Sequence, residues 1–186
     1  LSYYRQVLGP ELKKLVTSEH ARQRAVAYAR SLTLSGSMAD DAALAAELDA
    51  AIEAMYLMAA ADGEVAKDEL MQLTASIQSI LEASEADGAG SRVELGLPLL
   101  RLDRELERFK ARLEAEGLEA RIASLGTRLT TDEGKKLTYR LAVAVAFVDD
   151  FVANAESHAL SRLAEVLGFD QDQALALMQE VHATLG

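Results

Sequence analysis

Apolar residues recur along this chain at three- and four-residue spacing, and no stretch alternates with period two. The spacing predicts helices over 10–16 and 19–33, with Ser18 as N-cap of the second, and a turn at Leu34-Ser35-Gly36-Ser37. A long helix follows over 40–61, broken at Asp62-Gly63, and another over 66–83. The stretch 86–91, rich in Gly and Ala, reads as a loop and as the best linker in the chain. Residues 98–128 carry one or two helices, divided near Gly117. Thr131 caps a helix running to 149, and Gly168 stops the next, over 155–167. Asp170 and Gln173 form a capping box for a last helix to 184. The predicted fold class is therefore all-α, a helical bundle. The longest apolar runs, 54–61 and 141–148, fall far short of the ~20 residues that span a bilayer, so they read as buried helix segments.

A shift of 87 positions brings two segments into register, AMYLMAAADGEVAKDELMQL over 54–73 and LAVAVAFVDDFVANAESHAL over 141–160. Asp62 then falls on Asp149, Val65 on Val152, Ala66 on Ala153, Glu69 on Glu156 and Leu73 on Leu160. Each copy reads as an apolar helix, an Asp, a short break, a Glu seven residues after the Asp, and an amphipathic helix. This predicts two internally duplicated helix–turn–helix units related by a pseudo-twofold axis.

An Asp at the mouth of a buried helix is costly unless it gains a partner. In an unbroken helix, residues seven apart are separated by about 10.5 Å along the axis, too far to share one ion. The break at Asp62-Gly63-Glu64 lets Asp62 and Glu69 converge, with Gly63 free to take a positive φ. Converging carboxylates without thiolates favour a hard divalent cation: calcium, with magnesium or manganese as alternatives. The segment is not an EF-hand. Asp62 to Glu69 would fill loop positions five to twelve, but positions one and three would be Met58 and Ala60, which cannot ligate through their side chains. Without a metal, the same carboxylates would cap the free N–H groups of the following helix, and the two roles can coexist. Cross-pairing between the Asp of one unit and the Glu of the other is also open. His158 lies two residues beyond Glu156 and points elsewhere on a helix, while His20 and His182 read as surface residues. No Glu-x-x-His occurs, which sets ferritin-like di-iron chemistry aside.

The apolar helix ending in Ala-Asp-Gly-Glu-Val, Glu69, the second Asp–Glu copy and the closing Leu167-Gly168-Phe169 resemble the TerB-like domain of tellurite-resistance proteins. The resemblance covers residues 40–185. It implies a duplicated all-helical bundle whose acidic residues bind divalent metal. It further implies a binding module of bacterial stress-response and membrane-linked systems rather than an enzyme. On this likeness Asp62 with Glu69 form one metal pair and Asp149 with Glu156 the other, with Glu64, Asp68 and Asp150 as supplementary ligands. The second copy departs from the first, with Asp150-Phe151 in place of Gly63-Glu64, and Ala66 stands where a capping Ser or Thr would be expected. The region 92–128 is longer than such a domain needs. Residues 39–186 are taken as the TerB-like domain and 1–38 as an N-terminal helical extension.

Charge narrows the partners. The 186 residues include 30 acidic and 19 basic ones, net −11, which argues against a nucleic-acid partner and against direct docking on anionic lipid. Absence of cysteine excludes disulfides, thiolate metal sites and Cys nucleophiles. The charge comes in blocks: residues 1–38 carry net +4, 39–91 net −11, 92–140 net +2 and 141–186 net −6. Most of these charges read as solvated helix faces. The segment from Arg101 to Lys110, which mixes the attractive pair Arg101/Glu105 with the repulsive Arg104/Arg108, reads as one such face. No nucleophile elbow, P-loop or dinucleotide fingerprint is present. The chain begins with Leu1 and reads as part of a longer protein, and no secretory signal follows that start. The expected function is a non-enzymatic, metal-binding regulatory or scaffold module. It would be cytoplasmic, act on a protein partner, and reach a peripheral membrane complex only through partners. The alternative is a purely structural protein-interaction domain whose acids cap helices.

Overall fold

The computed structural model describes residues 12–32, 39–61, 63, 65, 67–85, 96–146 and 154–185. A 3-10 turn at Lys13–Val16 is followed by α1 (Glu19–Leu32), α2 (Ala39–Ala59), α3 (Lys67–Glu85), α4 (Gly96–Glu116), α5 (Leu118–Arg128), α6 (Asp132–Ala146), α7 (Asn154–Val166) and α8 (Gln171–Leu185). The described residues contain no strand, as the periodicity requires. Among them no helix is long and apolar enough to cross a membrane. In the segment predicted as a helix over 10–16, the described residues are helical at Leu12 and form a 3-10 turn over Lys13–Val16.

The predicted helix boundaries correspond to explicit hydrogen bonds. The Ser18 hydroxyl accepts from the Ala21 N–H at 3.2 Å, and the Thr131 hydroxyl from the Gly134 N–H at 3.1 Å. Asp170 and Gln173 close a reciprocal capping box, with bonds of 2.8 and 3.0 Å. Gly168, at φ 81°, ends α7 in a Schellman arrangement: its own N–H reaches the Glu165 carbonyl at 3.1 Å and the Phe169 N–H reaches that of Ala164 at 2.9 Å. Gly117, at φ 88°, separates α4 from α5.

The bundle is built around α2. From Ala50 to Met58 every residue of this helix is buried, so it is covered on all sides. Its most extensive neighbours are α6 and α1. Small residues line these seams, among them Ala50, Ala51 and Ala54 on α2, Ala142 and Ala144 on α6, and Ala21 and Ala25 on α1. They let the backbones approach closely. Helix α1, from the segment set off as an extension, contributes Ala21, Ala25, Tyr28 and Ala29 to the same core. Helix α4 lays Leu102, Leu106 and Phe109 inward, with the Phe109 ring 6.2 Å from that of Tyr56. Helices α5 and α7 cross at Gly126, where a Cβ would lie 2.6 Å from Val166 Cγ1 and 2.9 Å from the Val166 carbonyl oxygen.

The α2–α6 seam carries one polar clasp. Glu47 of α2 reaches the first turn of α6, where the Thr131 hydroxyl donates to its carboxylate at 2.7 and 2.9 Å. Arg24 of α1 completes the clasp, its Nε donating to Glu47 at 3.1 Å, its Nη2 to Thr131 at 3.1 Å and its Nη1 to the His20 carbonyl at 2.9 Å. Gly134 makes room for the clasp, since a Cβ there would stand 1.7 Å from Glu47 Oε2. The substitution Gly134→Ala should therefore lower stability by about 1–3 kcal/mol through overpacking. Urea denaturation will show this, and the loss should shrink in a Glu47→Ala background if the clash with the carboxylate is its cause.

Candidate functional site

Three of the seven predicted ligands fall on helices the structure describes. Glu69 lies half-buried in the first turn of α3. Asp68 falls in the same turn, and Glu156 in the first turn of α7. Asp62, Glu64, Asp149 and Asp150 lie outside the described residues. Among the described residues no three His, Asp or Glu side chains converge as a metal site would require. His20, His158 and His182 are exposed, as surface residues should be.

The densest polar chemistry lies elsewhere, on α2. The acidic block 39–91 was read as solvated, yet Glu53 has 0% exposure and Glu47 is also buried. Their counter-charges come from the neighbouring basic blocks. Arg121 of α5 grips Glu53 with two parallel bonds, Nε to Oε2 at 2.8 Å and Nη2 to Oε1 at 2.9 Å. Arg128, two turns further along α5, adds a third bond to Oε1 at 2.7 Å. The free edge of Arg121 reaches Glu116 at 3.2 Å. Its bonds to Glu53 hold the Arg121 guanidinium above the usual arginine range, against the opposing effect of burial. Two guanidiniums thus supply three charge-assisted bonds to one carboxylate in the core.

One turn back on α2, Asp49 is far less well served. Its side chain is 21% exposed, and its ion pairs are long: 3.8 Å to Arg128 Nη1 and 3.7 Å to Arg108 Nη2. Arg108, on α4, is bonded more closely to Glu105 of its own helix. Burial, and then the negative charge of Glu105, push the Asp49 carboxyl up from 3.8 to about 6; Arg108 and Arg128 pull it down, and Glu53 adds a small push upward. The Tyr28 hydroxyl of α1 sits beside these groups, buried and without a hydrogen-bond partner among the described residues. Burial first, then Asp49 and Glu105, hold this phenol well above its ordinary range. Tyr28, Asp49, Glu105, Arg108 and Arg128 thus form a polar junction of α1, α2, α4 and α5.

Charge counting by blocks did not find the buried ion pairs of Glu53. The signal was present: Glu53 is the lone charged residue between positions 50 and 61, a run too apolar to face water. A carboxylate in such a run must be buried, and a buried carboxylate must find a cation.

Neither models of protein families, nor curated proteins, nor solved structures show a significant match to this chain. The site is therefore read from its own chemistry.

Two outcomes follow from the network. Arg121→Ala leaves Glu53 with Arg128 alone and should cost about 3–5 kcal/mol, measured by chemical denaturation. For Asp49, the folded chain binds the proton more tightly than the unfolded chain does. The associated stability is present in full below the unfolded pKa and is lost as pH rises through about 6. Asp49→Asn should then be more stable than the parent by roughly 1–3 kcal/mol near pH 8, with the difference vanishing near pH 4. Melting curves across that range will show whether the two proteins converge.

Proposed function

We propose that this chain is a non-enzymatic, TerB-like helical module of a bacterial stress-response system. On this reading it has a regulatory or scaffold role, and its two acidic turns bind a divalent cation, calcium first and magnesium or manganese as alternatives. One observation carries the reading. The described parts of the two matched segments lie on corresponding helices: 54–59 on α2 and 141–146 on α6, then 67–73 on α3 and 154–160 on α7. Glu69 and Glu156, matched in that register, lie on α3 and α7. A second feature points the same way. Positions 47 and 134 are also 87 apart, and Gly134 lies against the Glu47 carboxylate. Equivalent residues meet in this manner at a twofold axis.

Carboxylate oxygens are the donors that hard divalent cations take. Asp62 and Glu69 would hold one ion and Asp149 and Glu156 a second, with Glu64, Asp68 and Asp150 supplementing them. The ion would cancel repulsion between the carboxylates and fix the angle between α2 and α3, and between α6 and α7. The helix angles then shape a surface for a protein partner, in the cytoplasm or at a membrane complex reached through that partner.

The second reading, an interaction domain whose acids cap helices without metal, also has an observation in its favour. Glu47 stands at the start of α6 and is held wholly by Thr131 and Arg24. Calorimetry and melting with calcium separate the two. At a calcium concentration about 100 times Kd, the parent gains about 2.7 kcal/mol and its Tm rises by roughly 5–10 °C. Asp62→Asn combined with Asp149→Asn should abolish that rise. A parent indifferent to all three cations, with the double variant weakened by about 1 kcal/mol per cap, would favour the capping reading.

A further inference from the structure

We propose that α4 is a proton-operated cover: ionisation of Asp49 loosens its seat on α2, and protonation of Asp49 tightens it. The inference is independent of the metal reading, because it concerns a different junction. It rests on an arrangement of groups at one seam. Asp49 meets α4 through two residues of opposite sign, Glu105 and Arg108. Arg108 is drawn toward Glu105 on its own helix and stands 3.7 Å from Asp49, so it shields Asp49 poorly. From α5, Arg128 stands 3.8 Å from Asp49 and spends its closer bond on Glu53. From α1, the Tyr28 hydroxyl is buried at the junction with no partner among the described residues. Among the described residues, those of α3, α6 and α7, which also pack on α2, supply none of the charges acting on Asp49.

The balance at this seam has a direction. Of the two α4 residues, Glu105 acts on Asp49 more strongly than Arg108 does, and burial acts more strongly than either. Seating α4 therefore disfavours the ionised carboxylate. By linkage, an ionised Asp49 must disfavour the seated helix. Lifting α4 would hydrate Asp49, separate it from Glu105 and expose Leu102, Leu106 and Phe109. Among the described residues, these three are the buried side chains that seat α4.

The carboxyl moves from 3.8 to about 6 in the folded chain, and each unit is a factor of ten. The seating equilibrium can thus shift by at most about 100-fold as Asp49 ionises. Hydrogen exchange on the intact chain tests this between about pH 5 and pH 8, with each amide expressed as protection over its intrinsic rate at that pH. In the parent, protection across α4 should fall by about 10- to 100-fold over this range while that of α6 holds. Asp49→Asn should keep α4 protected at the upper pH, and Glu105→Gln should lessen the fall. The proposal is overturned if protection in α4 and α6 changes in parallel, if α4 is indifferent to pH, or if Asp49→Asn follows the parent profile. A carbon NMR titration of Asp49 adds a second check: a midpoint near 6 supports the device and one near 4 overturns it.

Discussion

Glu53 sits at 0% exposure inside the helix on which α1 and α3 to α7 all pack. A charge in that position cannot be left to water, so the assembly must carry a cation to it. Arg121 does this with a two-pronged grip, and Arg128 adds a third bond. The consequence reaches beyond the pair. Two guanidiniums seven residues apart on α5 face Glu53 and Asp49, four residues apart on α2. Helix α5 therefore cannot slide along α2, or turn on its axis, without stranding a carboxylate in the core. Apolar burial favours packing α5 somewhere on α2; the ion network specifies where.

Three acids on one helix meet three different fates. Glu47 ends in a complete clasp, with Thr131 donating to it and Arg24 spanning both. Glu53 is saturated by arginine. Asp49 receives what remains, two long contacts shared with better-placed acids. The poverty of the last site follows from the wealth of the other two, because Arg128 bonds Glu53 and Arg108 bonds Glu105 before either serves Asp49. Burial and the charge of Glu105 push a carboxylate left in that condition up to about 6.

Much of the architecture was legible in the sequence. Helix boundaries were, because they rest on local chemistry: the Ser18, Thr131 and Asp170 caps and the Gly117 and Gly168 stops all act within four residues of themselves. The ion network was not, because its bonds join positions as far apart as Glu53 and Arg128. Block charges located the acids and the bases but did not show that they meet, and they cast buried acids as solvated ones. In the opening segment, predicted as a helix over 10–16, the described residues run from helical Leu12 into a 3-10 turn at Lys13–Val16. The 87-residue register was visible in the letters, and the described parts of the matched segments lie on corresponding helices. How the acidic turns arrange their oxygens was never local information.

On the proposed duplication, the two central helices have diverged in a way that a twofold axis requires. Where α2 has Glu47, Asp49 and Glu53, the corresponding positions of α6 are Gly134, Lys136 and Arg140. Identical copies would set a second carboxylate at position 134 directly against that of Glu47, in a seam with room for one. Glycine removes the second charge and the volume together. Arg140 does not seek the core as Glu53 does; it turns to Glu180 of α8 at 2.8 and 3.1 Å, half-exposed. The acidic copy thus gathers α1, α4 and α5 around buried charge, while the basic copy holds α8 through an outer pair. On that duplication, asymmetric charge on the two copies would let one half serve as a frame while the other carries a group as poorly paired as Asp49. Any response to protons is then confined to the α2 side of the bundle.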